Sequence, residues 1–177
     1  MISEISFKFC PKCKGKFKKI ESDLLVCSKC DLHFYINPRP CNAVIILNEK
    51  NEILLIKRKL PPKKGCWDLA GGFTGLNESM EESVIREVKE ELNITLNKIK
   101  YFISLSDRYG YKGLKYHTLG FAYIARINKS QIKKIKPLDD AAEFKFFSLN
   151  KIPFEKLAFK SIKKTLRLFL SSLNKPK

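Results

Sequence analysis

Residues 71–94 read GGFTGLNESMEESVIREVKEELNI and hold six glutamates: Glu78, Glu81, Glu82, Glu87, Glu90 and Glu91. The chain around them is strongly basic, with 35 Lys and Arg against 18 Asp and Glu and a formal net charge of +17. Clustered carboxylates repel, so either a cation sits among them or they spread over a solvated helix face. Ser79 followed by Glu82 has the pattern of a capping box and predicts a helix over 79–92. At about 100° per residue, Glu87, Glu90 and Glu91 share one narrow face, while Val84, Ile85, Val88 and Leu92 gather on another that suits a sheet. Three convergent carboxylates raise one another's pKa unless a cation joins them. Oxygen donors of this kind suit magnesium or manganese, not zinc. Magnesium shares its shell with water and substrate phosphates, which points to phosphate chemistry. On residue type alone, a solvated Lys/Glu-rich helix face is the commoner outcome.

The wider spacing changes that balance. The stretch can be written G-x(5)-E-x(7)-R-E-U-x-E-E, with Gly72, Glu78, Arg86, Glu87, Val88, Glu90 and Glu91 at the fixed places and U a bulky aliphatic. It resembles the Nudix box, the motif of hydrolases that cleave a nucleoside diphosphate linked to some other group. Two departures are visible. Asn93 replaces the box's last glycine, at a helix C-cap where a left-handed backbone is needed and Asn is the next-best residue. GCWDLAGGF has Ala70 where the usual W-x-L-P-G-G has proline. The resemblance implies an α+β fold, the Nudix mixed sheet sandwiched between helices. It implies Mg²⁺ or Mn²⁺ on Glu87, Glu90 and Glu91, with the Gly72 carbonyl as a further ligand. It makes Glu78 and Arg86 a brace between loop and helix, and puts the general base at Glu87 or Glu91. In KPLDDAAEFKFF, Asp140 and Glu143 are the expected additional ligands or base just before a strand.

The first forty residues carry Cys10-Pro-Lys-Cys13 and Cys27-Ser-Lys-Cys30, with thirteen residues between the pairs. Two such knuckles joined by a short hairpin suit a tetrahedral zinc site, and a module this small needs the metal to fold. Disulfides fit poorly with a chain whose start lacks an apolar leader. The module is either a structural clip or, given Lys12, Lys14, Lys16, Lys18 and Lys19, a contact for nucleic acid or substrate. His33 reads as a packing residue, and Cys41 and Cys66 as buried thiols. The boundary is expected near Asn37, with a zinc ribbon over 1–36 and the Nudix domain over 37–177. A ribbon before such a domain, together with YINPRP at the junction, looks like the NADH pyrophosphatase group. That group's S-Q-P-W-P-F-P-x-S motif is absent; the region reads SLSDRYGYKGLKYHTL. The substrate stays open among NADH or NAD, ADP-ribose, dinucleoside polyphosphates and capped RNA ends.

The remaining chain predicts strands over 43–47, 53–57, 98–106, 116–127 and 144–149, and a long amphipathic helix over 154–173. Arg58 and Arg108 are candidate phosphate contacts; Tyr109 and Trp67 are candidates for stacking on a base. His117 reads as a packed histidine. No apolar run is long enough for a transmembrane helix, so no membrane partner and a cytoplasmic location are expected. RNA is a possible partner, and a homodimer is expected from the resemblance. The competing reading is a nucleotide- or RNA-binding module of the same fold without hydrolysis.

Overall fold

The computed structural model describes residues 3–4 and 7–173. The chain divides into two units, residues 1–39 with 108–118, and residues 40–107 with 119–177.

The first unit contains β1 (Ser3–Glu4), β2 (Phe17–Lys19), β3 (Leu24–Cys27) and β4 (His33–Tyr35). The last three form an antiparallel sheet in the order β2-β3-β4. Two cysteine knuckles meet at one end of this sheet, where Phe17 of β2 pairs with Cys27 of β3. Lys14, at φ 59°, and Asp31, at φ 53°, adopt the left-handed backbone that closes each turn. Lys14 N–H donates to Cys10 O at 2.9 Å, and Asp31 N–H to Cys27 O at 3.1 Å.

The second unit is an α+β fold, a mixed sheet flanked by helices. Its strands are β5 (Arg39–Leu47), β6 (Ile53–Arg58), β7 (Trp67–Asp68), β8 (Ile99–Tyr111), β9 (Leu114–Arg126) and β10 (Ala141–Phe147). The turn end of the β8–β9 hairpin belongs to the first unit. The sheet order is β9-β5-β6-β10, with β7 on β6 and β8 on β9. The helices are α1 (Met80–Leu92), the short α2 (Lys129–Ile132) and α3 (Lys160–Leu173).

The near-continuous apolar runs AVIIL and ILLI are explained by burial on both faces of the sheet. Val44, Ile46, Leu54 and Ile56 point to one side and meet Val84, Val88 and Leu92 of α1. Ile45, Leu47, Ile53 and Leu55 point to the other and meet Ile162, Leu166 and Phe169 of α3. Each such side chain contributes about 1.5–3 kcal/mol on burial. One sheet therefore fixes α1, which carries the carboxylates, on a well-packed support.

The expected helix over 154–173 is shorter in the structure. Phe154–Lys156 is a 3-10 turn, Leu157 is extended, and α3 begins at Lys160. Ala158 N–H donates to Trp67 O at 2.8 Å, so the chain first runs alongside β7. Cys41 and Cys66 are half-buried rather than buried, and His33 is exposed rather than packed. No described helix is long and apolar enough to cross a membrane.

Candidate functional site

Helix α1 is fixed at both ends by its own sequence. The Ser79 side chain accepts from Glu82 N–H at 3.2 Å, and the Glu82 carboxylate accepts from Ser79 N–H at 2.8 Å. Asn93 closes the helix in the left-handed conformation at φ 59°, with its N–H donating to Lys89 O. Asparagine thus serves at the C-cap where the box has glycine. Between these caps Val84, Val88 and Leu92 face the sheet, and Glu87, Glu90 and Glu91 lie on the adjoining face at its border.

The three carboxylates differ in setting. Glu91 is 4% exposed, and its Oε2 accepts from Gly71 N–H at 3.0 Å. Burial pushes its pKa well above the carboxylate range, and the charges of Glu87, Asp68 and Asp140 add to the effect. Glu87 is half-buried; its pKa is raised chiefly by burial, against the pull of Arg86. Glu90 is exposed.

Arg86 organises the face. Its Nε donates to Glu78 Oε2 at 3.0 Å and its Nη2 to Glu78 Oε1 at 2.6 Å. Nη1 donates to Glu87 and to Glu90, both at 2.9 Å, and Nη2 reaches Phe73 O at 3.1 Å. One guanidinium therefore ties the loop at Phe73 and Glu78 to the helix. The Glu78 carboxyl is held down to about 2 by Arg86 and by Gly75 N–H.

The double-glycine loop closes on the helix from the other side. A Cβ on Gly72 would lie 2.5 Å from Glu87 Oε1, so only glycine admits the carboxylate there. Gly71 sits at φ 142°, and a Cβ on it would meet Asn42 O at 2.4 Å. The Gly72 carbonyl accepts from Asn42 N–H at 2.8 Å. Asn42, a β5 residue absent from the sequence expectations, also donates from Nδ2 to Ser83 Oγ at 2.8 Å. Its Oδ1 is buried without a partner. The signal for Asn42 in the sequence is a single polar residue opening an apolar strand.

A divalent cation fits this donor set. Glu87 feels the charge of Glu90, and Glu91 that of Glu87. All are hard oxygen donors, Glu91 is buried beside other acids, and Gly72 forms a cradle that a Cβ would fill. Among the described residues, the carboxylate oxygens do not close into a ligand cluster as the four cysteine thiols of the first unit do. Arg86 supplies one positive charge against Glu78, Glu87 and Glu90 together.

Other expected site residues separate into two groups. Asp140 is half-buried and acts electrostatically on Glu91. Glu143 is not brought to the carboxylate face; it pairs with Lys57 at 3.2 Å, and Lys57 lies over the Trp67 ring. Trp67 is 9% exposed and packs edge-on against Phe147, so its ring is core rather than a surface for a base. Arg58 is likewise engaged, with Nη1 on Asp68 at 3.2 Å and Nε on Pro62 O at 2.9 Å. Asp68, also missed from sequence, is pushed up to about 6 by burial despite Arg58. Arg108 and Tyr109 belong to the first unit, where Tyr109 stacks on Tyr111.

In that unit the Sγ atoms of Cys10, Cys13, Cys27 and Cys30 all lie within 4.8 Å of one another. Individual separations are 3.3 Å for Cys13–Cys30, 3.4 Å for Cys13–Cys27 and 3.8 Å for Cys10–Cys30. A zinc tetrahedron with bonds of about 2.3 Å has sulfur–sulfur edges of about 3.8 Å, so the four thiols fit that ion. Burial raises the Cys27 thiol, but the backbone N–H groups of Lys29 and Cys30 and the neighbouring thiols outweigh it and bring it down to about 6. The hydrogen bond with Cys13 chiefly pushes the Cys30 thiol the other way, up to about 12, so the two shifts reflect protons shared within the cluster that a bound zinc would displace.

The NUDIX domain family matches residues 37–169. An ADP-ribose pyrophosphatase of Methanocaldococcus jannaschii is 40% identical over 117 residues, which is 64% of this chain and 63% of that protein. A NAD-capped RNA hydrolase NudC of Vibrio atlanticus is 35% identical over 98 residues, 55% of this chain and 36% of its own. The chain thus spans less than two thirds of the length of either relative. The crystal structure of a NUDIX hydrolase from Nitrosomonas europaea superposes with a TM-score of 0.66 at 25% identity, covering 96% of this chain and 95% of that one.

Proposed function

The chain belongs to the Nudix domain family, and we propose that it is a metal-dependent hydrolase of a nucleoside diphosphate derivative of the ADP-ribose or NAD type. The observation that carries this reading is the closure of the Gly71–Gly72 loop on Glu87 and Glu91, which forms an acidic cradle beside an arginine brace. Glu87, Glu90 and Glu91 would hold Mg²⁺ or Mn²⁺, with Asp140 nearby and the Gly72 carbonyl as a further donor. Bound there, the ion would supply Lewis-acid polarisation of the diphosphate and a more acidic water. The chain's own part is to place a base and hold the loop. Glu87 or Glu91, each with its pKa raised chiefly by burial, accepts the proton of the attacking water. The water oxygen bonds to one phosphorus, the bridging P–O bond breaks, and a nucleoside monophosphate is released. Glu78 and Arg86 keep the loop in register and touch no reacting atom.

We divide the chain into a zinc ribbon, 1–36, and a catalytic domain, 37–177. The ribbon's zinc on Cys10, Cys13, Cys27 and Cys30 is structural. We place the protein in the cytoplasm, where thiols stay reduced and available to a zinc site. ADP-ribose, NAD and NAD-capped RNA are the substrates favoured by what the relatives are named for.

The test is a hydrolysis panel of NADH, NAD, ADP-ribose, diadenosine polyphosphates and NAD-capped RNA with Mg²⁺ or Mn²⁺, on wild type and Glu91→Gln. Metal-dependent release of a nucleoside monophosphate that vanishes in the variant is the expected result. No turnover of any of them, with nucleotide or RNA binding unchanged by the variant, would replace the hydrolase with a binding module.

A further inference from the structure

The sheet of the first unit has two unlike faces. Residues opposed across antiparallel strands share a face, as do alternate residues along one strand. Phe17 opposite Cys27, and Lys19, Leu25 and Phe34 in a row, make the first face. Its rings cluster on themselves: Phe34 packs against Phe7 at 5.2 Å and Phe17 at 5.6 Å, with Leu25 buried beneath and Phe7 and Lys19 at the exposed margin. The second face carries Lys18, Val26 and His33 on one rung and Leu24 with Tyr35 on the next. The bridge between Phe9 and Lys16 adds a third rung on the same side. Leu24 on this face is buried and Val26 half-buried, but the side chains around them stand in solvent. Phe9 is 59% exposed and Tyr35 53%, and Lys16, Lys18 and His33 are exposed as well. No carboxylate occupies a position on these rungs.

We propose that this strip, Phe9, Lys16, Lys18, His33 and Tyr35, binds single-stranded RNA. Two aromatic rings stand in water at the two ends of one basic strip, where a single strand lying along the lysines could meet both. Each ring offers a flat face on which any unpaired base can stack. Alternate residues of a strand stand about 6.7 Å apart, so Lys16 and Lys18 can each meet a phosphate of an extended strand. His33 shares the Lys18 rung, next to the rung of Tyr35, with a ring that also stacks and donates. A duplex hides its base faces and would leave Phe9 and Tyr35 idle; an acidic protein would use the lysines but not the rings. The charge of the unit agrees, with eleven Lys and Arg against four Asp and Glu. RNA binding by the strip does not depend on the hydrolase reading. Its consequence for turnover does rest on that reading: an RNA attached to the diphosphate would gain affinity that a small nucleotide lacks.

The experiment is fluorescence anisotropy of the zinc-loaded full chain with a short unstructured RNA, across a salt series. Lys16→Ala with Lys18→Ala should weaken binding at least tenfold and flatten the log–log salt slope by about 1.4, at roughly 0.7 per phosphate contact in a single strand. Phe9→Ala and Tyr35→Ala should each weaken binding on the order of tenfold and leave the slope unchanged. Zinc content and melting temperature serve as fold controls, since all four positions are exposed. Binding to duplex RNA or to anionic vesicles as tight as to the single strand, or aromatic variants that bind like wild type, would mean diffuse charge attraction and overturn the proposal. So would RNA binding that none of the four substitutions alters. A parallel KM measurement separates the two readings. The strip variants should raise KM for NAD-capped RNA and leave ADP-ribose untouched, whereas hydrolysis of neither substrate by wild type, with strip-dependent binding intact, removes the hydrolase alone.

Discussion

Arg86 and Glu78 meet as a fork on a carboxylate, Nε to Oε2 at 3.0 Å and Nη2 to Oε1 at 2.6 Å. Eight residues apart in sequence, they join the loop after the double glycine to the middle of α1. Lysine carries the same charge but has a single nitrogen, and cannot hold both Glu78 oxygens while reaching Glu87, Glu90 and Phe73 O. The pair therefore sets the position of two candidate metal ligands without being one.

Glu78 and Asp68 make opposed contributions to the pH dependence of stability. Glu78 is held down to about 2, so its contribution is fully present above the ordinary carboxylate pKa and is lost as pH falls toward 2. Asp68 is pushed up to about 6, so it favours the folded state at low pH, and that contribution is lost as pH rises through 6. Glu78→Gln should flatten the acid limb of a melting-temperature profile. Asp68→Asn should remove the decline near pH 6. Carboxyl-carbon NMR titration checks both assignments directly: Glu78 should still be ionised at pH 3, and Asp68 should be largely protonated at pH 5.

Metal removal should expose what Glu91 is for. Glutamine at 91 still offers a carbonyl oxygen to Gly71 N–H, so the fold should be kept while the charge goes. Wild type should gain about 2.7 kcal/mol of stability at a Mg²⁺ concentration a hundred times the dissociation constant. Glu91→Gln should gain far less, and turnover should fall by at least about 10³-fold, the scale on which single preorganised catalytic groups act. Equal Mg²⁺ stabilisation of both proteins in calorimetric melts would take Glu91 out of the ligand set.

Zinc should account for the folding of the first unit. Its three short strands bury little beyond Leu24, Leu25 and the cysteines, so binding energy and folding energy are coupled. Metal analysis should find one zinc per chain. A strong chelator, or Cys27→Ser, should abolish the protected amides of β2–β4 in hydrogen exchange, while β5, β6 and α1 stay protected.

The helix, its caps and its arginine–glutamate bonds were legible because they are local. The capping box, the carboxylate face, the left-handed Asn93 and the arginine brace all depend on spacings within 71–94, and each forms as the spacing demands. The cysteine cluster was legible for the same reason. The misplaced residues depend on strand register instead. A bulge between Ala141 and Glu143 shifts the pairing of β10 with β6 and puts Glu143 beside Lys57. A period of two cannot reveal it. Trp67 and Arg58 look available in sequence because Phe147 and Phe159, far along the chain, are needed to cover them. Asn42 reaches Ser83 across forty-one positions of sequence, a contact that no local pattern announces.

Asn42 supplies the sharpest separation of activity from stability. Its N–H holds the Gly72 carbonyl and its Nδ2 holds Ser83, whose hydroxyl also accepts from Arg86 Nη2 at 3.3 Å. Strand β5, the glycine loop and α1 thus meet in one side chain. Asn42→Ala keeps the backbone bond and removes the bond to Ser83, at a cost of about 1 kcal/mol, but it also removes the unpartnered buried Oδ1. The two changes oppose, so the melting temperature should hardly move. The loop and Arg86 lose a tether, so kcat should fall about tenfold, within the range seen when groups supporting a metal site are removed. Gly72→Ala is the contrast. Its Cβ would overlap the Glu87 carboxylate, with 2.5 Å to Oε1, and it should lower both kcat and melting temperature. A kcat for Asn42→Ala equal to that of wild type would show that the loop keeps its register without the side chain; a large loss of melting temperature would show that Asn42 supports the fold rather than the site.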